Sequence, residues 1–211
     1  MMAFDFKKEY KELYLPKNKP EILEVPEMNY IAVRGTGDPN KAGGAYQRAI
    51  GILYALAYTL KMSNKGDHKI EGFFEYVVPP LEGFWRQDGI NGMDYGRKDR
   101  FCWISVIRLP AFITKADFDW AAGEAARKKG LDCSPAELLT VREGLCVQIM
   151  HVGPFDDEPA TVAQMDHYLK EHGYENDFSD SRLHHEIYLS DPRKVEPSKR
   201  KTVIRHPIRK S

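Results

Sequence analysis

Two rhythms of apolar residues run along this chain. One is strict alternation, the signature of a half-buried strand. It is clearest over residues 101–109, where Phe101, Trp103, Ser105 and Ile107 share one face. The same period predicts strands over 28–35, 73–78, 143–152, 183–189 and 202–208, and a strand or loop over 81–85. The other rhythm is helical. Tyr46, Ile50, Leu53, Ala57 and Leu60 recur at helix spacing over 44–62, and Val162, Met165, Tyr168 and Leu169 do so over 157–172. A short amphipathic helix over 4–14 carries Phe6, Tyr10, Leu13 and Tyr14, and the segment Pro16 to Pro20 ends it. Thr114-Lys115-Ala116-Asp117 reads as a capping box opening a helix that Gly130 closes. Ser134-Pro135-Ala136-Glu137 reads as a second cap opening one helical turn. Residues 87–100, rich in glycine and polar groups, read as a long exposed loop.

The order strand, helix, strand, strand occurs twice, and three matched pieces suggest an internal repeat. Residues 31–37 lie over 147–153. The strand of Glu75 lies over that of Glu186. Ser105-Val106-Ile107-Arg108-Leu109-Pro110 lies over Thr202-Val203-Ile204-Arg205-His206-Pro207. The expected class is α+β: two βαββ repeats of the SHS2 type forming one curved antiparallel sheet, with the helices on one face and a ligand cleft on the other. The expected organisation is an N-terminal helical lead over 1–24, then one domain over 25–211. That domain divides into a first repeat over 25–110, a helical insertion over 111–141 and a second repeat over 142–208.

Composition narrows the function. Lys plus Arg and Asp plus Glu both number 31 in 211 residues, so net charge is zero. A nucleic-acid-binding surface usually shows a basic excess. The local excess over 193–210 reads as a solvated tail. Cys102, Cys133 and Cys146 are odd in number and lack metal-ligand spacing, which fits reduced thiols in a cytoplasmic protein. No signal-peptide core opens the chain and no apolar run reaches membrane-spanning length.

The chemistry of interest lies in His184-His185-Glu186-Ile187-Tyr188-Leu189-Ser190-Asp191-Pro192. Glu186 and Tyr188 share a strand face, so a carboxylate and a phenol can address one ligand. The plain alternatives are a cross-strand ion pair for Glu186 and a packing tyrosine for Tyr188. Trp85 and Trp103 flank the loop, with Phe84 and Tyr95 nearby, and such rings could wall a site for a planar or cationic ligand or simply pack the core. Glu75, at the position matched to Glu186, would set a second carboxylate in the cleft. His184 and His185 are adjacent on a strand and point to opposite faces, so the pair makes no metal site.

These residues resemble the GyrI-like small-molecule-binding family, which also occurs as the effector-binding domain of AraC- and MerR-type multidrug regulators. The resemblance rests on His151-x-Gly153-Pro154-Phe155, the helix end at Gly173-Tyr174, Glu186-x-Tyr188-Leu189-x-Asp191-Pro192 and Ile204-x-x-Pro207. With no helix-turn-helix ahead of it, the chain is similar to the stand-alone bacterial members, as are Phe4-Asp5-Phe6-Lys7-Lys8 and Pro79-Pro80-Leu81-Glu82-Gly83-Phe84-Trp85. That subgroup implies a cofactor-free hydrolase opening the cyclopropane ring of DNA-alkylating compounds, with Glu186 and Tyr188 as the catalytic pair and Trp85 as a ligand contact. The family also implies two non-catalytic readings: sequestration of hydrophobic, often cationic drugs, and modulation of DNA gyrase.

Overall fold

The computed structural model describes residues 3–90, 93, 94 and 96–211. Its frame is a ring of six antiparallel strands: β1 (Glu21–Thr36), β2 (Leu81–Gln87), β3 (Phe101–Arg108), β4 (Ala136–Val152), β6 (His184–Tyr188) and β7 (Lys201–Lys210). They run in the order β4-β1-β3-β2-β6-β7, and β7 pairs back onto β4, so the curved sheet closes on itself. The short β5 (Tyr174–Asn176) pairs with the end of β7.

Closure decides where everything else sits. Side chains of one parity from all six strands meet inside the ring. Tyr30, Ala32, Phe84, Val106, Cys146, Met150, Ile187 and Val203 form that core. Two short helices, α1 (Phe6–Glu9) and α2 (Lys11–Tyr14), add Phe6, Leu13 and Tyr14 to it. The other parity faces outward and is covered by helices. Helix α3 (Ala45–Met62) and α4 (Lys115–Lys129) bury Ile31, Trp103 and Ile107, whereas α5 (Glu158–His172) buries Val147, Ile149 and Ile204. No helix among the described residues is long and apolar enough to cross a membrane.

A polar chain runs through the ring. His185 lies between Glu82 and Glu143, each 3.0 Å away, and Arg205 donates to Glu143 at 2.9 Å, to Gln148 and to the Leu13 carbonyl. Burial pushes the Glu143 carboxyl up, but His185 and Arg205 outweigh it and hold it at about 2. Burial pushes the His185 imidazole down, and Glu143 and Glu82 outweigh that to raise it. Arg205, through the Leu13 carbonyl, and Glu82, which accepts from the Tyr14 hydroxyl, also tie the N-terminal helices to the strands.

Several expectations change. The helix expected over 4–14 is two single turns, because the backbone at Tyr10 leaves helical geometry (φ −115°, ψ 59°). The helical turn expected at Ser134–Glu137 is a tight turn instead, closed by the Ala136 N–H on the Cys133 carbonyl. Strand β4 starts at Ala136 and pairs with β1, whose long ribbon begins at Glu21. Strand β1 therefore begins inside the lead expected over 1–24, and the helical insertion ends before 136. Residues 73–78 lie outside the sheet: Tyr76 forms an isolated bridge with Phe4, and the strand proper starts after Pro79-Pro80. Prolines cannot donate to a ladder, so the ladder begins beyond them. Hence Gly83, not Glu75, lies across from Glu186. The cleft is also on the helical face rather than opposite it, because closing the ring fills the concave face with core.

Candidate active site

Helix α3 packs on β1 and β3, and α5 packs on β4 and β5. The seam where β2 pairs with β6 runs between them, and there the outer face of the ring is open. A cleft of about 1020 Å³ occupies it. Trp85, Glu186 and Tyr188 form the strand wall. Tyr46, Ile50, Tyr54 and Tyr58 of α3 form a second wall, Val78 to Leu81 a third, and Phe155 and Glu158 a fourth. Across the mouth, Lys98 of the β2–β3 loop reaches Asp156, before α5, at 2.6 Å.

Alternation on β6 turns His184, Glu186 and Tyr188 to this outer face, while His185 and Ile187 point into the ring. The Trp85 indole N–H donates to the Tyr188 hydroxyl at 2.9 Å. Phe155 meets the Tyr188 ring edge-on at 5.7 Å. Gly83 makes room for this pair, since a Cβ there would lie 2.6 Å from the Trp85 nitrogen and 3.1 Å from the Tyr188 oxygen. Burial pushes the Tyr188 phenol far above the ordinary tyrosine range, and Glu186 adds to the rise. Tyr188 therefore keeps its proton, and its hydroxyl hydrogen-bonds the Glu186 carboxylate. Burial likewise raises Tyr46, which shares a hydrogen bond with Tyr188.

Glu186 is 7% exposed, and His184 lies 3.0 Å from its Oε1. Glu158 is fully buried nearby. Donor atoms of Glu158, His184 and Glu186 lie within 4.8 Å of one another, a spacing that could hold a cation. His184 already meets His206 through Nδ1 at 2.7 Å and Glu186 through Nε2, so both of its ring nitrogens are engaged. His151 serves the scaffold, bonding the Thr161 hydroxyl and the Pro154 carbonyl and so fixing the start of α5.

The fold brings together three of the residues singled out in the sequence: Trp85, Glu186 and Tyr188. It separates Phe84, Trp103 and Glu75 from them. Phe84 points into the ring and stacks on His185 at 4.1 Å. Trp103 has the outward parity but is 3% exposed, packed under Tyr46 and lying across Gly35, where a Cβ would come within 2.3 Å of its ring. Glu75 is exposed in the loop before β2 and does not line the cleft. Tyr95 lies outside the described residues. Sequence reasoning missed Tyr54, Tyr58, Glu158 and the His184–His206 contact. The tyrosines had a signal, since they interrupt the apolar run over 50–60. Glu158 had none, because an acid beside Pro159 reads as helix-start charge.

The model of the GyrI-like small molecule binding domain matches residues 18–209. The chain belongs to the GyrI-like family. Solved structures agree in fold and length. A conserved protein from Listeria innocua is 48% identical, with a TM-score of 0.93 covering 98% of this chain and 100% of that one. A hydrolase from the same organism is 46% identical, with a TM-score of 0.89 over 98% and 100%. A further Listeria innocua hydrolase structure is 47% identical, with a TM-score of 0.90 over 99% and 100%. No curated protein sequence matches the chain. Family membership makes this GyrI-like protein a small-molecule binder, and the seam between α3 and α5 is where a molecule of that size can enter.

Proposed function

We propose that this GyrI-like protein is a hydrolase that opens the strained cyclopropane ring of hydrophobic alkylating compounds, needing no cofactor and acting in the cytoplasm. The observation that carries the reading is a buried carboxylate beside a protonated phenol on one wall of an aromatic cleft. The relatives described as hydrolases, 46 and 47% identical, support it.

In a spirocyclopropane joined to a dienone, ring opening moves an electron pair from the breaking C–C bond onto the ketone oxygen. Glu186 takes a proton from water as the water oxygen bonds the cyclopropane methylene. Tyr188, itself held by the Trp85 N–H, donates a hydrogen bond to the oxygen that gains charge. The proton taken by Glu186 finally balances that oxygen, so the product is the substrate plus one water. Tyr46, Tyr54 and Tyr58 offer ring faces to the planar remainder of the molecule.

A second reading, sequestration without turnover, draws support from Glu158 and Glu186 lying together in a tyrosine-walled cleft, a setting that suits a cationic drug. An excess of a spirocyclopropane–dienone alkylator separates the two. Loss of dienone absorbance, with ring-opened product far exceeding the protein, is the expected result. One intact molecule bound per chain would favour sequestration.

A further inference from the structure

Behind Glu186 runs a buried chain of imidazoles that the reaction above does not use. His206 Nε2 lies 2.7 Å from His184 Nδ1, and His184 Nε2 lies 3.0 Å from Glu186 Oε1. Both histidines are 3% exposed. Their proton positions follow from satisfaction of buried donors. Burial, with His184 adjacent, pushes His206 well below the ordinary histidine range, so it is neutral and carries one N–H. Its Nδ1 has no hydrogen-bond partner among the described residues. A proton there would be an orphaned buried donor, whereas a proton on Nε2 is given to His184. With its Nδ1 accepting, His184 carries its own proton on Nε2 and donates it to Glu186.

We propose that His184 and His206 are positioning residues for Glu186: a one-way chain, His206 to His184 to the carboxylate, that anchors Oε1 and fixes the rotation of a carboxylate that also hydrogen-bonds Tyr188. The proposal rests on the reading of Glu186 as the base. The His184 ring stands on the same strand face two residues away, so it fixes carboxylate rotation without entering the cleft. The tautomer pattern is also what distinguishes this arrangement from a cation site, which would need the Nε2 lone pair of His184 facing Glu158 and Glu186.

Two measurements test it. Long-range ¹H–¹⁵N correlation on the histidine-labelled protein reads the tautomers without any substrate. Both His184 and His206 are expected in the Nε2–H form at neutral pH. An Nδ1–H form of His184 would overturn the chain. With the spirocyclopropane–dienone probe, His206→Phe removes the donor and is expected to lower kcat by about 10- to 100-fold with KM unchanged. His206→Gln, whose amide can reach the same place, should recover most of that loss. Unchanged kcat in a folded His206→Phe protein, or equal losses in both variants, would overturn the positioning role. If the unaltered protein does not turn the probe over, the hydrolase reading fails, while the tautomers still decide the chain.

Discussion

Glu186→Gln is expected to lower kcat on a spirocyclopropane–dienone by about a thousand-fold, the usual scale for a lost general base. Gln is nearly isosteric and keeps an oxygen for the His184 N–H. Cleft shape and binding should therefore survive, and the loss should fall in kcat rather than in affinity. Quenching of Trp85 fluorescence by the probe reads binding separately. Tyr188→Phe should cost about a hundred-fold by removing the donor to the developing charge, and it also strips the Trp85 N–H of its partner. If the two residues act in one step, the double variant loses less than the product of the single losses. Equal turnover in Glu186→Gln and the unaltered protein would remove Glu186 from the chemistry.

Arg205→Met is expected to cost about 3–5 kcal/mol of stability, because it leaves Glu143 buried with one of its two cations gone. That is a large share of the roughly 5–15 kcal/mol typical of a domain. Methionine keeps much of the volume, so the loss reports charge and hydrogen bonding more than packing. The bond to the Leu13 carbonyl goes too, and the N-terminal helices should loosen. Urea denaturation by tryptophan fluorescence measures the difference.

The pH dependence follows from the same network. The Glu143 carboxyl is depressed to about 2, so its contribution is present above the ordinary glutamate value of 4.5 and is lost as pH falls through about 2. His185 is raised, so its contribution is complete below the ordinary histidine value of 6.5 and is lost as pH rises through the raised value. Stability should thus fall on both the acid and the alkaline side. In Arg205→Met the acid fall should shrink, since Glu143 is then depressed less. An unchanged acid limb would show that Arg205 does not hold the carboxyl down.

The strand periodicity carried most of the frame. Alternation placed Glu186 and Tyr188 on one face and His185 on the other, and the ladder agrees. What alternation cannot carry is closure. Whether an antiparallel sheet stays open or meets itself depends on which edges pair, and the β4–β7 ladder joins residues 49 to 61 positions apart in sequence. Closure reversed the faces: the concave side became core, and the site moved out to the seam between helices. The Glu75 match failed for a local reason. Phe73 to Val78 alternates like a strand, but Pro79-Pro80 pushes the ladder to residues 81–87, and Gly83 takes the place across from Glu186. Trp85 and Phe84 are neighbours with opposite fates, which a one-residue choice of register decides. The imidazole chain behind Glu186 joins β6 to β7, and no local pattern in either strand announces it.

The central claim is that water, activated by Glu186, opens the ring. A single turnover of the spirocyclopropane–dienone in H₂¹⁸O tests it most directly, with product read by mass. The expected result is one ¹⁸O in the new hydroxyl from the first turnover onward, and no product from Glu186→Gln on the same timescale. An unlabelled hydroxyl in the first turnover would mean that the Glu186 carboxylate itself attacks the ring, and would contradict the account.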